Sequence, residues 1–204
     1  MTLAPTSTDR GSETRRRILE VAAEAFAERG YAGTSVNDVL KASGVTKGGF
    51  YFHFPSKEAL ALATLRNKQE QWAGVVMAAV LRAPHAIEQL DAMVEALCDL
   101  HEQDRACRAI SRLCSELGDE HPELRPQLGT QLTTWMDIVA SIIRKGQDEG
   151  EIRPDVDPVM AAEVAVGSFI GLETVSQVLT GRADLRRRAR DFRDLWFAAI
   201  RQPA

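Results

Sequence analysis

A chain of 204 residues, with 45% hydrophobic and 26% charged side chains, holds enough apolar material for one large or two small cores, an ordinary globular composition. The formal net charge of −4 argues against a protein that coats nucleic acid by bulk electrostatics, but not against a local basic face, because charge acts over about 8 Å at physiological salt. No apolar run approaches the ~20 residues of a membrane span and no signal-peptide core leads the chain, so a cytoplasmic protein with no membrane partner is expected, its three cysteines reduced rather than paired.

Met1 to Gly11 is polar and reads as a flexible arm. Arg10 in this arm joins Arg15, Arg16 and Arg17 in the densest basic patch near the N-terminus. A solvated helix start and a phosphate contact are both open readings of the patch, with Arg16 the residue chosen for the second. A first helix is expected from about Ser12 to Arg29, closed by Gly30, with Ile18, Val21, Ala22, Ala25 and Phe26 as its buried stripe. Thr34 and Ser35 then stand at a helix N-terminus suited to holding a phosphate, simple capping being the alternative. Ser35 with Asp38 can form a capping box, and Val36, Val39, Leu40 and Val45 fall at spacings that bury one face. Gly44 can take the left-handed backbone needed to reverse direction in so few residues, giving helix, tight turn, helix. The second helix of the pair begins at Thr46. Thr46, Lys47 and Gly48 in its first turn allow close approach to a phosphate or a base edge, Tyr51 and His53 follow, and Phe50, Phe52 and Phe54 are available for the underlying core.

Pro55 suits the first turn of a long helical pattern that runs from Ser56 through Leu60, Leu65 and Trp72 to Val80, with Lys57 projecting near a DNA backbone. That helix is too long for local scaffolding and reads as the joint between two domains, residues 1–58, which carry the helix-turn-helix, and residues 59–204. Everything readable beyond Ala86 is helix: Ile87 to Glu102, Ala106 to Leu117, Pro122 to Glu149, Pro158 to Leu179 and Leu185 to Ile200. The expected fold is therefore all-α, an N-terminal helix-turn-helix domain of three helices followed by a C-terminal helical domain.

At its N-terminal third the sequence resembles the TetR family of one-component transcriptional repressors. The resemblance rests on Thr14-Arg-Arg-Arg-Ile-Leu, Ala22-Ala-Glu-Ala-Phe, Arg29-Gly-Tyr, Gly33-Thr-Ser-Val, Ala42-Ser-Gly-Val-Thr-Lys-Gly and Tyr51-Phe-His-Phe-Pro-Ser-Lys-Glu-Ala-Leu60, in one order without gaps. It implies a homodimer that grips a palindromic double-stranded operator and is released by a small-molecule effector. The segment Ala161 to Leu172 is apolar nearly all round, with Ala162, Val166, Phe169 and Ile170 on one face and Gly167 and Gly171 on another. Together with Leu195, Trp196 and Ala199 of the last helix, it looks like the paired C-terminal helices through which this family dimerises, internal core being the alternative. The tail Val175-Ser-Gln-Val-Leu-Thr-Gly-Arg-Ala-Asp-Leu, with Trp135 one helix earlier, also resembles the actinobacterial γ-butyrolactone receptors within the family.

For the effector, Met93, Leu97, Leu113, Leu117, Trp135, Met136, Val139 and Phe169 are the expected apolar lining, with Ser168 and Glu173 as weaker candidates. Cys98, His101, Cys107 and Cys114 allow a rival in which a soft metal or a thiol is sensed, but no compact Cys-x-x-Cys pair supports it. An enzyme is the other rival, and no nucleophile elbow, phosphate-cradling loop, metal-protease histidine pair or paired-carboxylate motif speaks for one. No cofactor or metal is expected.

Overall fold

The computed structural model describes residues 7–104 and 107–203; the side chains of residues 7–10, 108–112 and 131 lie outside the description. Among the described residues nine α-helices follow one another: α1 Ser7–Arg29, α2 Val36–Ser43, α3 Lys47–His53, α4 Lys57–Val80, α5 Ala86–Gln103, α6 Cys107–Glu120, α7 Arg125–Asp148, α8 Pro158–Thr180 and α9 Leu185–Ile200. A short 3-10 turn, Pro122–Leu124, separates α6 from α7. The all-α expectation holds among the described residues, where the β-pairing is an isolated bridge between Ile152 and Arg201.

Several boundaries differ from the sequence reading: α6 continues past Leu117 to Glu120, and α7 begins at Arg125 rather than Pro122. α1 begins at Ser7, so part of the expected arm is helix; residues 1–6 and the Arg10 side chain lie outside the description. Pro55 stands before α4 rather than in its first turn, because Ser56 takes the cap and its Oγ accepts from Ala59 N at 3.2 Å.

The chain divides into two compact units, Met1–Gln71 with Asp104–Arg125, and Trp72–Gln103 with Pro126–Ala204. The division falls inside α4, and α6 packs on α1. In the first unit Ile18, Ala22 and Phe26 of α1 are buried, as are Leu60, Ala61 and Leu65 of α4. In the second unit Val76, Leu90, Met93, Val139, Ile143, Ala162, Trp196 and Phe197 are among the buried members of one apolar cluster. Arg186 and Arg190 of α9 are held to Glu95 of α5 at 2.9 and 2.7 Å, and Arg193 is held to Asp91 at 2.7 Å.

α8 is long and apolar enough by length and composition to cross a membrane, which the sequence reading did not expect of any segment. Its apolar residues are shared between two sides of a single helix. Ala161 and Ala162 are buried, while Val159, Met160, Val164, Val175, Val178 and Leu179 are exposed. Its Glu173 is buried and ion-paired to Arg182 at 3.2 Å.

Candidate nucleic-acid interface

Ser35 caps α2 through the full reciprocal box. Its N–H donates to Asp38 Oδ2 at 2.9 Å while the Asp38 N–H donates to Ser35 Oγ at 3.2 Å. The Ser35 hydroxyl, and then its N–H, hold the Asp38 carboxyl below the usual carboxylate range. α2 ends on Gly44 at φ +65°, whose N–H donates to Leu40 O at 3.0 Å. Two residues later Thr46 caps α3, its Oγ1 accepting from Gly49 N at 3.2 Å. Helix, tight turn and helix are thus fixed by three local devices that the sequence carries.

The aromatics of α3 divide by helical phase. Phe50 and Phe54, four apart, are buried with ring centroids 5.9 Å apart. Phe52 is two residues from each, about 200° around the helix, and 84% exposed. Phe52, expected to be available for the core, is therefore corrected to the surface: three aromatics at a spacing of two cannot share one face of a helix. Lys47, Gly48, Tyr51 and Phe52 form the exposed face, and His53 is half-buried with its ring edge-on to Phe52 at 5.1 Å.

The other candidates separate from one another. Ser35 is exposed, but Thr34 is 1% exposed, with Oγ1 3.1 Å from Ala25 O and 2.8 Å from Gly30 O. Its hydroxyl serves the C-terminal end of α1, so its side chain is corrected from phosphate ligand to buried cap. The Lys57 ammonium lies 4.0 Å from the centroid of the Tyr31 ring. Arg16 is exposed and paired on its own helix to Glu13 at 2.6 Å and Glu20 at 2.8 Å. Arg15, which the sequence reading left as part of a patch, stacks its guanidinium on the Phe54 ring at 5.4 Å, next to α3.

Residues 18–64 match the model of bacterial regulatory proteins of the tetR family, and residues 86–192, more than half of the chain, match the tetracyclin repressor-like C-terminal domain. The chain belongs to the TetR family. It is 34% identical over 187 residues to the A-factor receptor protein of Streptomyces griseus; the match takes in 87% of this chain and 60% of that protein, so the chain spans less than two thirds of that relative. It is 30% identical over 159 residues to the HTH-type transcriptional regulator UidR of Escherichia coli (strain K12), covering 78% of this chain and 79% of UidR. Among solved structures, native TylP, a TetR regulator from Streptomyces fradiae, has a TM-score of 0.74 at 31% identity, over 95% of this chain and 89% of that one. The likeness to the A-factor receptor protein supports the resemblance to the γ-butyrolactone receptors.

In this TetR-family chain the expected effector lining is only partly gathered. Met93 and Val139 belong to the apolar cluster of the second unit, with Leu97, Trp135 and Met136 packed against it. Leu113 and Leu117 are buried in the first unit instead, because α6 packs there. Phe169 is half-buried and meets His101 edge-on at 5.4 Å. His101 itself is buried, its Nδ1 2.8 Å from Leu97 O and its Nε2 3.6 Å from Glu173. A cavity of about 510 Å³ lies elsewhere in this unit, between α5 and α9, lined by Ile87, Asp91, Arg193, Phe197 and Arg201 among others.

The interface candidates also divide. Ala162 and Trp196 are core residues, 0% and 8% exposed, with Trp196 stacked on Phe192 at 6.2 Å; both are corrected from partner surface to interior. Val166 and Ile170 are half-buried, whereas Gly167, Leu195 and Ala199 are exposed. The exposed apolar residues of α8 form a stripe the sequence reading missed: Met160, Val164, Gly167, Gly171, Val175 and Val178, at spacings of four, three, four, four and three. That periodicity was available in the sequence. What hid it is that α8 is apolar on the other side as well.

Burial pushes the thiols of Cys98 and Cys114 up to about 11, which disfavours the thiolate that sensing or soft-metal binding needs. Among the described residues, the group with metal-compatible donors is His85, Glu149 and Glu151, and it contains no cysteine. Glu149 and Glu151 accept from the N–H groups of Ala86 and Ile87 at 3.3 and 3.1 Å, where they cap α5.

Proposed function

We propose that this regulator is a cytoplasmic, homodimeric repressor that holds a palindromic operator through α3 of each protomer and is released by a small, largely apolar effector. The observation that carries the DNA-reading part is the exposed face Lys47, Gly48, Tyr51 and Phe52 on a helix held rigidly from behind by Phe50 and Phe54. Gly48 lets the backbone approach closely, Lys47 supplies a cation, and Thr46, Ser35 and His53 border the same surface. Arg16 and Lys57 add phosphate contacts once their present intramolecular partners are exchanged.

One such helix touches too few base pairs for useful specificity, so two copies are needed at a spacing that matches the groove repeat. The exposed stripe of α8, with Leu195 and Ala199 of α9 and the half-buried Val166 and Ile170, supports pairing through these helices. Met93, Leu97, Trp135, Met136, Val139 and Phe169 are the proposed effector-facing residues, and their apolar character sets the effector class. The effector acts by binding better to the arrangement whose two reading helices are out of register, and its effect is limited by that preference.

The test is fluorescence anisotropy against a duplex enriched by the protein from a random library. Lys47→Ala and Tyr51→Ala each weaken specific binding by about 10-fold or more with unchanged circular dichroism. Full affinity in both would overturn α3 as the reading helix.

A further inference from the structure

Resting on the repressor reading, we propose that Phe52 is a specificity-determining residue that recognises the 5-methyl group of a thymine in each operator half-site. An exposed apolar residue by itself says little, since much of any protein surface is apolar. Three features set Phe52 apart. It is 84% exposed, more than the other large apolar side chains described as exposed. It stands four residues after Gly48 and beside Tyr51, on the face of α3 opposite the buried Phe50 and Phe54. Its ring meets that of His53 edge-on at 5.1 Å and 81°.

The chemistry of the ring then selects the contact. Phenylalanine has no hydrogen-bonding atom, so it cannot hold a phosphate or pair with the donor and acceptor edges of the bases. The apolar group that a major groove displays on its base edges is the thymine methyl, and phenylalanine is among the residue types that meet it. Gly48, one turn earlier on the same face, has nothing within 4 Å of the position a Cβ would take, so no side chain there holds the backbone away from the groove. Phe52 on this account reads thymine, while Lys47 and Tyr51 supply polar contacts beside it.

Deoxyuridine differs from thymidine by this methyl alone, which makes the claim testable one group at a time. The probe is the library-enriched duplex and versions of it with each thymine replaced singly by deoxyuridine. At one thymine per half-site, replacement weakens wild-type binding by about 4-fold, the worth of one buried methyl. Phe52→Ala binds the thymine and deoxyuridine duplexes equally at that position, and Phe52→Leu, which keeps an apolar tip, restores part of the difference. Circular dichroism of Phe52→Ala stays that of the wild type, because so exposed a ring supports no core. Two results would overturn the proposal: no thymine whose replacement matters to the wild type, or a thymine effect of equal size in Phe52→Ala. Failure of the protein to enrich any duplex would overturn the repressor reading itself, and the proposal with it.

Discussion

Tyr31 donates its hydroxyl hydrogen to Glu58 Oε1 across 2.9 Å, tying the corner between α1 and α2 to the first turn of α4. The Tyr31 N–H donates to the Glu116 carboxylate of α6, and His121 Nε2 lies 3.3 Å from the same Tyr31 hydroxyl. His121 also lies near two carboxylates, with Nδ1 3.3 Å from Glu123 Oε1 and Nε2 3.7 Å from Glu58 Oε1. Burial, and then the Glu58 acceptor, push the Tyr31 pKa well above 10.

Tyr31→Phe therefore lowers stability by about 1–2 kcal/mol at pH 7, as measured by urea denaturation. A group whose pKa is raised on folding contributes in full below its unfolded value, near 10 for tyrosine, and loses that contribution as pH rises further. The gap between wild type and Tyr31→Phe accordingly narrows above pH 10. A gap that stays constant from pH 7 to pH 11 would show that folding does not oppose ionisation of the hydroxyl, and no gap at pH 7 would show that the hydroxyl contributes nothing.

Gly44→Ala costs about 1 kcal/mol in thermal denaturation, because the left-handed backbone at φ +65° opposes a Cβ. The space there is open, so Gly44→Asn, which tolerates that conformation, costs less. Equal losses in both would point to packing rather than backbone.

Arg186 bonds Glu95 at 2.9 Å, Asp99 at 2.6 Å and Glu102 at 2.7 Å, and its side chain is only 25% exposed. Arg186→Met removes a shared partner of three carboxylates and lowers stability by about 1 kcal/mol, more at 50 mM salt than at 1 M. A loss independent of salt would assign the effect to the methylene packing instead.

Val178→Asp and Leu195→Glu place charges on the exposed faces of α8 and α9, where Val178 is 77% and Leu195 75% exposed. In sedimentation velocity both variants are predicted to shift toward monomer, with helicity unchanged. Variants that remain dimeric would move the interface elsewhere.

The Cys98 and Cys114 thiols, pushed up to about 11, are almost wholly protonated at pH 7.5. Alkylation by iodoacetamide is slow in the native protein and rapid in urea. Serine at all three cysteine positions leaves effector release unchanged; loss of the response would revive the thiol sensor.

The local devices of the head were legible in the sequence because each is a short-range rule. Ser35 with Asp38, Gly44 and Thr46 act on neighbours within four residues; the first two stand as read, while Thr46 caps α3 instead of opening its first turn. Residue type alone does not separate Phe52 from Phe50 and Phe54; helical phase does. Its position two residues from Phe50 already required the opposite face. Thr34 was ambiguous for a different reason, since a hydroxyl at a helix start serves a phosphate or a carbonyl equally well and only the return of the α1 end decides. Ala162, Trp196, Leu113 and Leu117 were beyond reach. Their burial depends on which neighbours α6, α8 and α9 pack against, and an all-round apolar helix such as α8 does not declare which of its sides is inward.

Sedimentation equilibrium of the protein with its enriched palindrome, and with the same duplex after one half-site is scrambled, tests the account most directly. Two protomers on the intact palindrome are predicted, with affinity falling at least 100-fold when one half is lost. A single protomer bound tightly to either duplex would contradict it.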